Sequence, residues 1–221
     1  MRNRNSVPDR VVEVRRRGGK LNELRTLKGR RFLVVKDSLT EPLLEVGAEL
    51  DEGRLEKLEG SWARSAGIAL SYRMLTRRDR TEWEIRNALA EAGIGSAGVI
   101  EDIVEDLKGQ GYLDDQRLAR EYVRFTVMHR PSGPHLVRHR LGRLGVARDT
   151  IERVLTEELT SDTEHELALR LARGKLGRGV DRKRSVRKIN AFLLRRGFSS
   201  DLVNGICARI LRGEITGEDD E

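Results

Sequence analysis

The chain has 221 residues, 38% of them hydrophobic, 4% aromatic and 36% charged, with a formal net charge of +7. That is a thin apolar supply for one globule, but it suits small units that bury faces against their neighbours. No apolar run approaches the roughly 20 residues of a bilayer crossing. The opening "MRNRNSVPDR" lacks the apolar stretch of a secretory signal, so a cytoplasmic protein is expected, and Cys207, the single cysteine, cannot pair within the chain.

Residues 1–60 differ in character from the rest. "RVVEVRRR" from Arg10 and "RRFLVVK" from Arg30 alternate or run in β-branched residues, with "GGK" and "LKG" as turns. They predict a short antiparallel hairpin or meander in an N-terminal extension, followed by a short helix near 51–58.

The next stretch contains "AGIGSAG", in which Gly93, Gly95 and Gly98 match the G-x-G-x-x-G spacing of a dinucleotide-binding turn. Such a turn needs a buried strand in front of it. What stands there is "TEWEIRNALAEA", 81–92, with Trp83, Ile85, Ala88, Leu89 and Ala92 near spacings of 3 and 4 and charges between them. That is an amphipathic helix. Gly93 then reads as the residue past a helix end, where a left-handed backbone suits glycine.

The rest of the chain supports this reading, because the glycine recurs. Leu89, Leu141 and Leu193 stand 52 apart (141 − 89 and 193 − 141), as do Gly93, Gly145 and Gly197. Ile85, Val137 and Ile189 keep the offset, as do Ile94, Val146 and Phe198, and Val99, Ile151 and Val203. Gly95 and Gly98 do not recur. A fixed period is the mark of stacked supersecondary units. Each unit reads as three helices: 61–79, 81–92 and 96–109; 115–130, 132–144 and 148–159; 163–178, 183–196 and 200–212. Ser96, Ser132 and Ser200 are expected N-caps, and Thr163 with Glu166 a capping box. Gly111 and Gly213 are expected to close third helices, and Asp114 and Asp115 to cap the helix after "GYL". The expected class is a mainly α protein of tandem three-helix repeats in an elongated curved array. Its expected divisions are the extension 1–60, repeats at 61–110, 111–160 and 161–213, and an acidic tail at 214–221.

Residues that could carry chemistry are sparse. His135 and His139 have the i, i+4 spacing of metal ligands, but no third ligand stands beside them. No activated nucleophile or phosphate loop accompanies the acids, so the chain is expected to be no enzyme and to need no cofactor or metal. Cys207, with Ile206 and Ile210, reads as a small buried hydrophobe. The aromatic residues, including the Leu118–Tyr122–Phe125 strip, read as core.

Charge is the informative feature. From Arg170 to Arg196 there are eleven Arg and Lys against one acid, Asp181. A stripe of this density attracts polyanions. The candidate interface residues are Arg138, Arg140, Arg143, Arg182, Lys183, Arg184, Arg187, Lys188, Arg195 and Arg196, which gather on the second helices of repeats two and three. Gly93, Gly111, Asp114, Asp115, Gly145 and Gly197 are the structural positions.

"GYLDDQRLAREYV", 111–123, followed by "GPHLVRHRLGRLGV", 133–146, resembles the RecX family of bacterial regulators of RecA recombinase. "ALSYRMLTRRDRTEWEIRNALAEAGI", 69–94, is similar to the first repeat of that family, and the likeness covers about 61–212. Leu136 departs from it, standing where the family commonly carries a basic residue. The resemblance implies a non-enzymatic protein that binds the RecA–DNA filament, in its groove or at its end, and restrains recombination and co-protease activity. DNA, single- or double-stranded, is the expected second partner, with no membrane contact and a monomeric state. The alternative is an autonomous nucleic-acid-binding module with a basic helical face and no RecA partner.

Overall fold

The protein is described from a computed structural model over residues 9–18, 21–35, 45–176 and 182–216. Among the described residues four strands open it: β1 (Asp9–Gly18), β2 (Leu21–Thr26), β3 (Arg31–Val35) and β4 (Glu49–Leu50). They form an antiparallel sheet in the order β3-β2-β1-β4, so the expected meander gains a short fourth strand along β1. Alternation puts Val11, Leu24, Phe32 and Leu50 on the inner face, where they meet Leu58 in a small core.

Nine helices follow among the described residues: α1 (Glu52–Leu75), α2 (Glu82–Glu91), α3 (Ala97–Gly109), α4 (Asp115–His129), α5 (Pro134–Arg143), α6 (Arg148–Glu158), α7 (Ser161–Arg173), α8 (Arg182–Arg195) and α9 (Ser200–Arg212). The expected helices at 51–58 and 61–79 are one, capped at its start by Asp51, whose side chain accepts from the Arg54 N–H. Gly60 lies inside that helix and does not stop it, because tertiary packing on both sides of it outweighs the weak helix propensity of glycine. Leu58 serves the strand core and Ala63 the core of the first repeat, so one helix joins the two.

Three expected caps differ. α5 starts one residue later than its serine, with Gly133 as N-cap and Pro134 as first helical residue, while Ser132 turns inward and donates to the Arg130 carbonyl. α9 starts from Ser199 rather than Ser200, whereas Ser96 takes the expected N-cap position of α3, without a side-chain bond. The T-x-x-E box gives way to Thr160, whose hydroxyl accepts from the Thr163 N–H at 3.3 Å. Asp114 caps α4 by accepting from the Arg117 N–H at 2.9 Å. α7 ends at Arg173, short of the expected 178; residues 177 and 178, like the end of the acidic tail from 217, fall outside the described residues.

The chain divides into two compact units: residues up to Arg80 with Glu84–Leu113, and Thr81–Trp83 with residues from Asp114 onward. In the first, α1, α2 and α3 bury Ala63, Ile85, Leu89, Ile94, Ile103, Val104 and Leu107. α1 passes close to α3 at Gly67, where an added Cβ would lie 2.6 Å from Ile103 Cδ1. In the second, repeats two and three share one core running from Ala119 to Ile215. The positions that recur at 52 residues are core positions: Leu89, Leu141 and Leu193 are completely buried, and Ile85, Val137 and Ile189 nearly so.

The recurring glycines follow α2, α5 and α8, with φ of +65° at Gly93, +82° at Gly145 and +83° at Gly197. Gly111 and Gly213 have φ of +75° and +79°. Within the second unit, two of the glycine turns carry a docked helix N-terminus. The Thr81 hydroxyl donates to the Leu144 carbonyl at 2.5 Å, and the Trp83 side chain lies directly on Gly145. The Gly133 N–H donates to the Arg196 carbonyl at 2.8 Å, the His135 N–H donates to the Gly197 carbonyl at 3.1 Å, and Leu136 lies on Gly197. Thr81 and Gly133 are 52 apart, and so are Leu144 and Arg196, so the two joints are copies. Leu136, the departure from the family pattern, is the apolar cover of the second joint.

Candidate nucleic-acid interface

Three arginines of the second repeat, Arg120, Arg124 and Arg138, are matched by acids. Arg120 pairs with Glu157 at 2.6 Å and Glu158 at 3.2 Å, and Arg124 grips Glu158 at 2.8 Å, tying α4 to α6. Arg138 on α5 is half-buried and holds Glu152 with two bonds, at 2.6 and 2.9 Å. The hydrogen bond from Arg138 lowers the Glu152 carboxyl below its usual range, as Arg124 does for Glu158. Stability from these pairs is therefore present above the ordinary glutamate pKa and lost as pH falls through the lowered values. Melting temperature is expected to hold from neutral pH down to about pH 5 and to fall below it. A thermal melt series checks this.

In the third repeat, Arg209 and Arg212 of α9 meet Glu214, but α8 is not balanced in this way. On α8, Ser185, Ile189 and Leu193 face the core, while Arg184, Arg187, Lys188, Ala191 and Arg195 lie exposed at spacings of 3 and 4. Among the described residues, no carboxylate pairs with Arg184, Arg187, Lys188 or Arg195. Lys183 is also exposed, and the Arg182 side chain lies outside the described residues. The first turn of α8 holds no acid and begins Arg182, Lys183, Arg184, cations at the positive end of a helix dipole. Adding the like-charge neighbours Lys183–Arg187, Arg184–Arg187 and Arg184–Lys188, this arrangement costs the isolated unit on the order of 1–3 kcal/mol. Among the described residues no carboxylate pairs with Arg184, Arg187 or Lys188 to offset that, whereas a polyanion would.

Arg187, Lys188, Ala191, Phe192 and Arg195, with Lys175 after α7, line an open hollow of about 480 Å³. Phe192 is half-buried in it, and Lys175 and Arg196 each approach its ring at 5.2 Å. Arg196 is held inward, donating to the Pro131 carbonyl at 3.0 Å. Arg140 and Arg143 are exposed on α5, and Arg140 reaches the Tyr122 hydroxyl at 3.3 Å. The structure thus brings Arg184, Arg187, Lys188 and Arg195 together and gives Arg138 and Arg196 internal partners. The sequence missed Lys175: it reaches Phe192 from just past the end of α7, 17 positions away (192 − 175), and no local spacing carries that contact.

Aromatic residues depart most from expectation. Trp83 is 50%, Tyr112 48% and Phe125 52% exposed, and Trp62 36%. Trp83 covers a glycine, Tyr112 meets Tyr72 edge-on at 5.2 Å, and Phe125 lies against His129 at 4.8 Å on the outer side of α4. Helical spacing alone could not separate these from Tyr122 and Phe192, which are half-buried. His135 and His139 are exposed, and no group of three metal-ligating side chains occurs among the described residues. Cys207 is buried, and burial raises its thiol pKa. Alkylation of the native protein is expected to be at least tenfold slower than after unfolding, as timed by mass spectrometry. No helix among the described residues is long and apolar enough to cross a membrane.

A sheet extension, tandem three-helix units and an exposed basic face on α8 define a mainly α helical-repeat protein. Comparison with known proteins agrees. The model of the second three-helix domain of RecX matches residues 114–155, and that of the third matches 162–206. Regulatory protein RecX of Halorhodospira halophila is 34% identical over 151 residues, covering 68% of this chain and 88% of that protein. Regulatory protein RecX of Limosilactobacillus reuteri is 28% identical over 194 residues, covering 86% of this chain and 72% of the relative. The crystal structure of a regulatory protein RecX superposes with a TM-score of 0.68 at 25% identity, covering 90% of this chain and 98% of that one. The chain belongs to the RecX family.

Proposed function

We propose that this protein regulates the RecA recombinase by binding the RecA–DNA filament, without catalysis of its own, and that it restrains recombination and co-protease activity. The observation that carries the reading, within the family, is the exposed face of α8, where Arg184, Arg187, Lys188 and Arg195 have no carboxylate partner among the described residues. Such a face gains from phosphate, because each contact releases counterions and relieves repulsion along the helix. Arg140, Arg143, Arg182 and Lys183 extend the same interface, with Arg138 and Arg196 setting the surfaces beneath it. No nucleotide, metal or cofactor takes part, and the protein acts in the cytoplasm as a monomer. Inhibition then requires tighter binding to a filament state that cannot grow or exchange than to one that can.

The test is ATP hydrolysis by RecA on single-stranded DNA already saturated with RecA, at physiological salt. Titrating in this protein is expected to stall hydrolysis at or below one copy per RecA. Limiting DNA would not decide the matter, since simple coating of bare strands would also lower the rate. If saturated filaments are untouched while bare DNA is bound tightly, the protein is an autonomous nucleic-acid module and the RecA assignment fails.

A further inference from the structure

The glycine turns that end α2, α5 and α8 are built alike, yet among the described residues only two of them carry a helix N-terminus. At Gly145 and at Gly197 an added Cβ would fall inside Trp83 and Leu136, whereas at Gly93 it would meet nothing within 4 Å. The acceptors repeat as well. Leu144 and Arg196 offer carbonyls that are taken by Thr81 and Gly133. Ala92, at the matching position, and Gly93 receive no donor among the described residues. In place of a docked helix there is an open hollow of about 680 Å³, walled by Phe32, Trp62, Ala63 and Val99 and floored by Gly93 and Gly95. Val99 is the one member of its repeat set left half-buried, where Ile151 and Val203 are 3% and 0% exposed.

We infer that this hollow is a docking site for the first turn of a helix from a partner protein, one presenting N–H or hydroxyl donors and an apolar side chain to cover Gly93. The two filled copies define that chemistry. In each, a donor from a helix start reaches the carbonyl one residue before the glycine, and a large side chain covers the bare Cα. Charge agrees. The carbonyls at the end of α2 carry the negative end of its dipole, and Glu56 on the rim has no cationic partner among the described residues. The rim arginines are already neutralised, Arg30 by Glu59 at 3.1 Å and Arg31 by Glu23 at 2.6 Å. A positive helix start fits such a rim, and a phosphate does not. Resting on the proposed function, the inference divides the work: α8 meets DNA, and the hollow at Gly93 holds a recombinase subunit.

The experiment compares Trp62→Ala and Ser96→Trp with the unaltered full chain. The first removes a wall, and the second fills the hollow from an exposed N-cap that makes no side-chain bond. Binding is measured to RecA filaments and, separately, to bare single-stranded DNA, with thermal melts to confirm folding. Both variants are expected to lose about tenfold or more in affinity for filaments, the scale of a hot-spot aromatic, while binding bare DNA unchanged. A photo-crosslinking residue at position 96 is expected to capture RecA at a helix start. Unchanged filament affinity in both variants overturns the inference, and so does capture of a second copy of this chain. If the unaltered protein ignores filaments altogether, the proposed function fails first and this occupant falls with it, a result separable because it needs no variant.

Discussion

Replacing Arg184 and Lys188 together by Glu is expected to weaken binding to DNA-bearing filaments on the order of 100-fold at physiological salt. The two side chains are one helical turn apart on the exposed face of α8 and have no carboxylate partner among the described residues. Reversal removes two phosphate contacts and adds two repulsions, four charge units in all, and about 0.7 kcal/mol for each, within the range of an exposed ion pair, gives that factor. Neutralisation to Gln separates charge from shape. Two lost contacts on a single strand should flatten the slope of log affinity against log salt by about 1.4, twice roughly 0.7 per contact. Stability should move the other way. Arg184 stands in the first turn of α8, where a carboxylate favours the dipole and a cation opposes it, so the Glu variant is expected to melt no lower than the parent. Weaker binding without lower melting marks a face kept for a ligand. A salt-insensitive interaction, unchanged by the reversal, would show that α8 is only a solvated helix face.

Much of this architecture is written in the sequence, for a physical reason. Leu89, Leu141 and Leu193 recur because each fills the centre of a three-helix unit, and a core position that is completely buried tolerates little else. Gly145 and Gly197 recur because positive φ excludes most side chains. Both constraints act on single positions, so a one-dimensional reading finds them. Helix starts were less legible. Ser132 has the chemistry of an N-cap but sits one residue too early, and Gly133 takes the role because its backbone must approach Gly197. That constraint comes from a residue 64 positions away (197 − 133). The join of the extension to the first repeat was hidden for a similar reason. Glycines at 53 and 60 suggest a break, but Leu58 and Ala63 are held by cores on either side. On the interface, composition located the basic stretch, but it could not tell Arg138, committed to Glu152, from Arg187, which is not. Only the packing of α5 against α6 makes that distinction.

Substituting valine at each repeat glycine should separate backbone strain from packing, and the mildest and most damaging results are expected to differ about twofold or more. All three positions share a left-handed backbone, with φ between +65° and +83°. A β-branched residue is strained there by about 1–3 kcal/mol wherever it is placed. At Gly93 that is the whole cost, because an added Cβ meets nothing within 4 Å. At Gly197 the same atom would run into the backbone nitrogen of Leu136, which is fixed by the helix start it belongs to. Opening that joint strands the Arg196 and Gly197 carbonyls and uncovers Leu136, adding on the order of 3 kcal/mol or more to the strain. At Gly145 the collision is with the Trp83 side chain, half of which is exposed and free to swing outward. Its cost should fall between the two. Chemical denaturation is therefore expected to rank the variants Gly93→Val mildest, Gly145→Val intermediate and Gly197→Val most damaging, with the last at risk of not folding at all. Equal losses at Gly93 and Gly197 would mean that φ alone sets the cost, and the joint would then be a contact without energetic weight. A gentler pair, Gly197→Ala against Gly93→Ala, keeps the comparison readable if valine proves too severe. The same ranking bears on function: Gly93→Val, the variant that leaves the fold most intact, is the one expected to keep DNA binding while losing its hold on a protein partner.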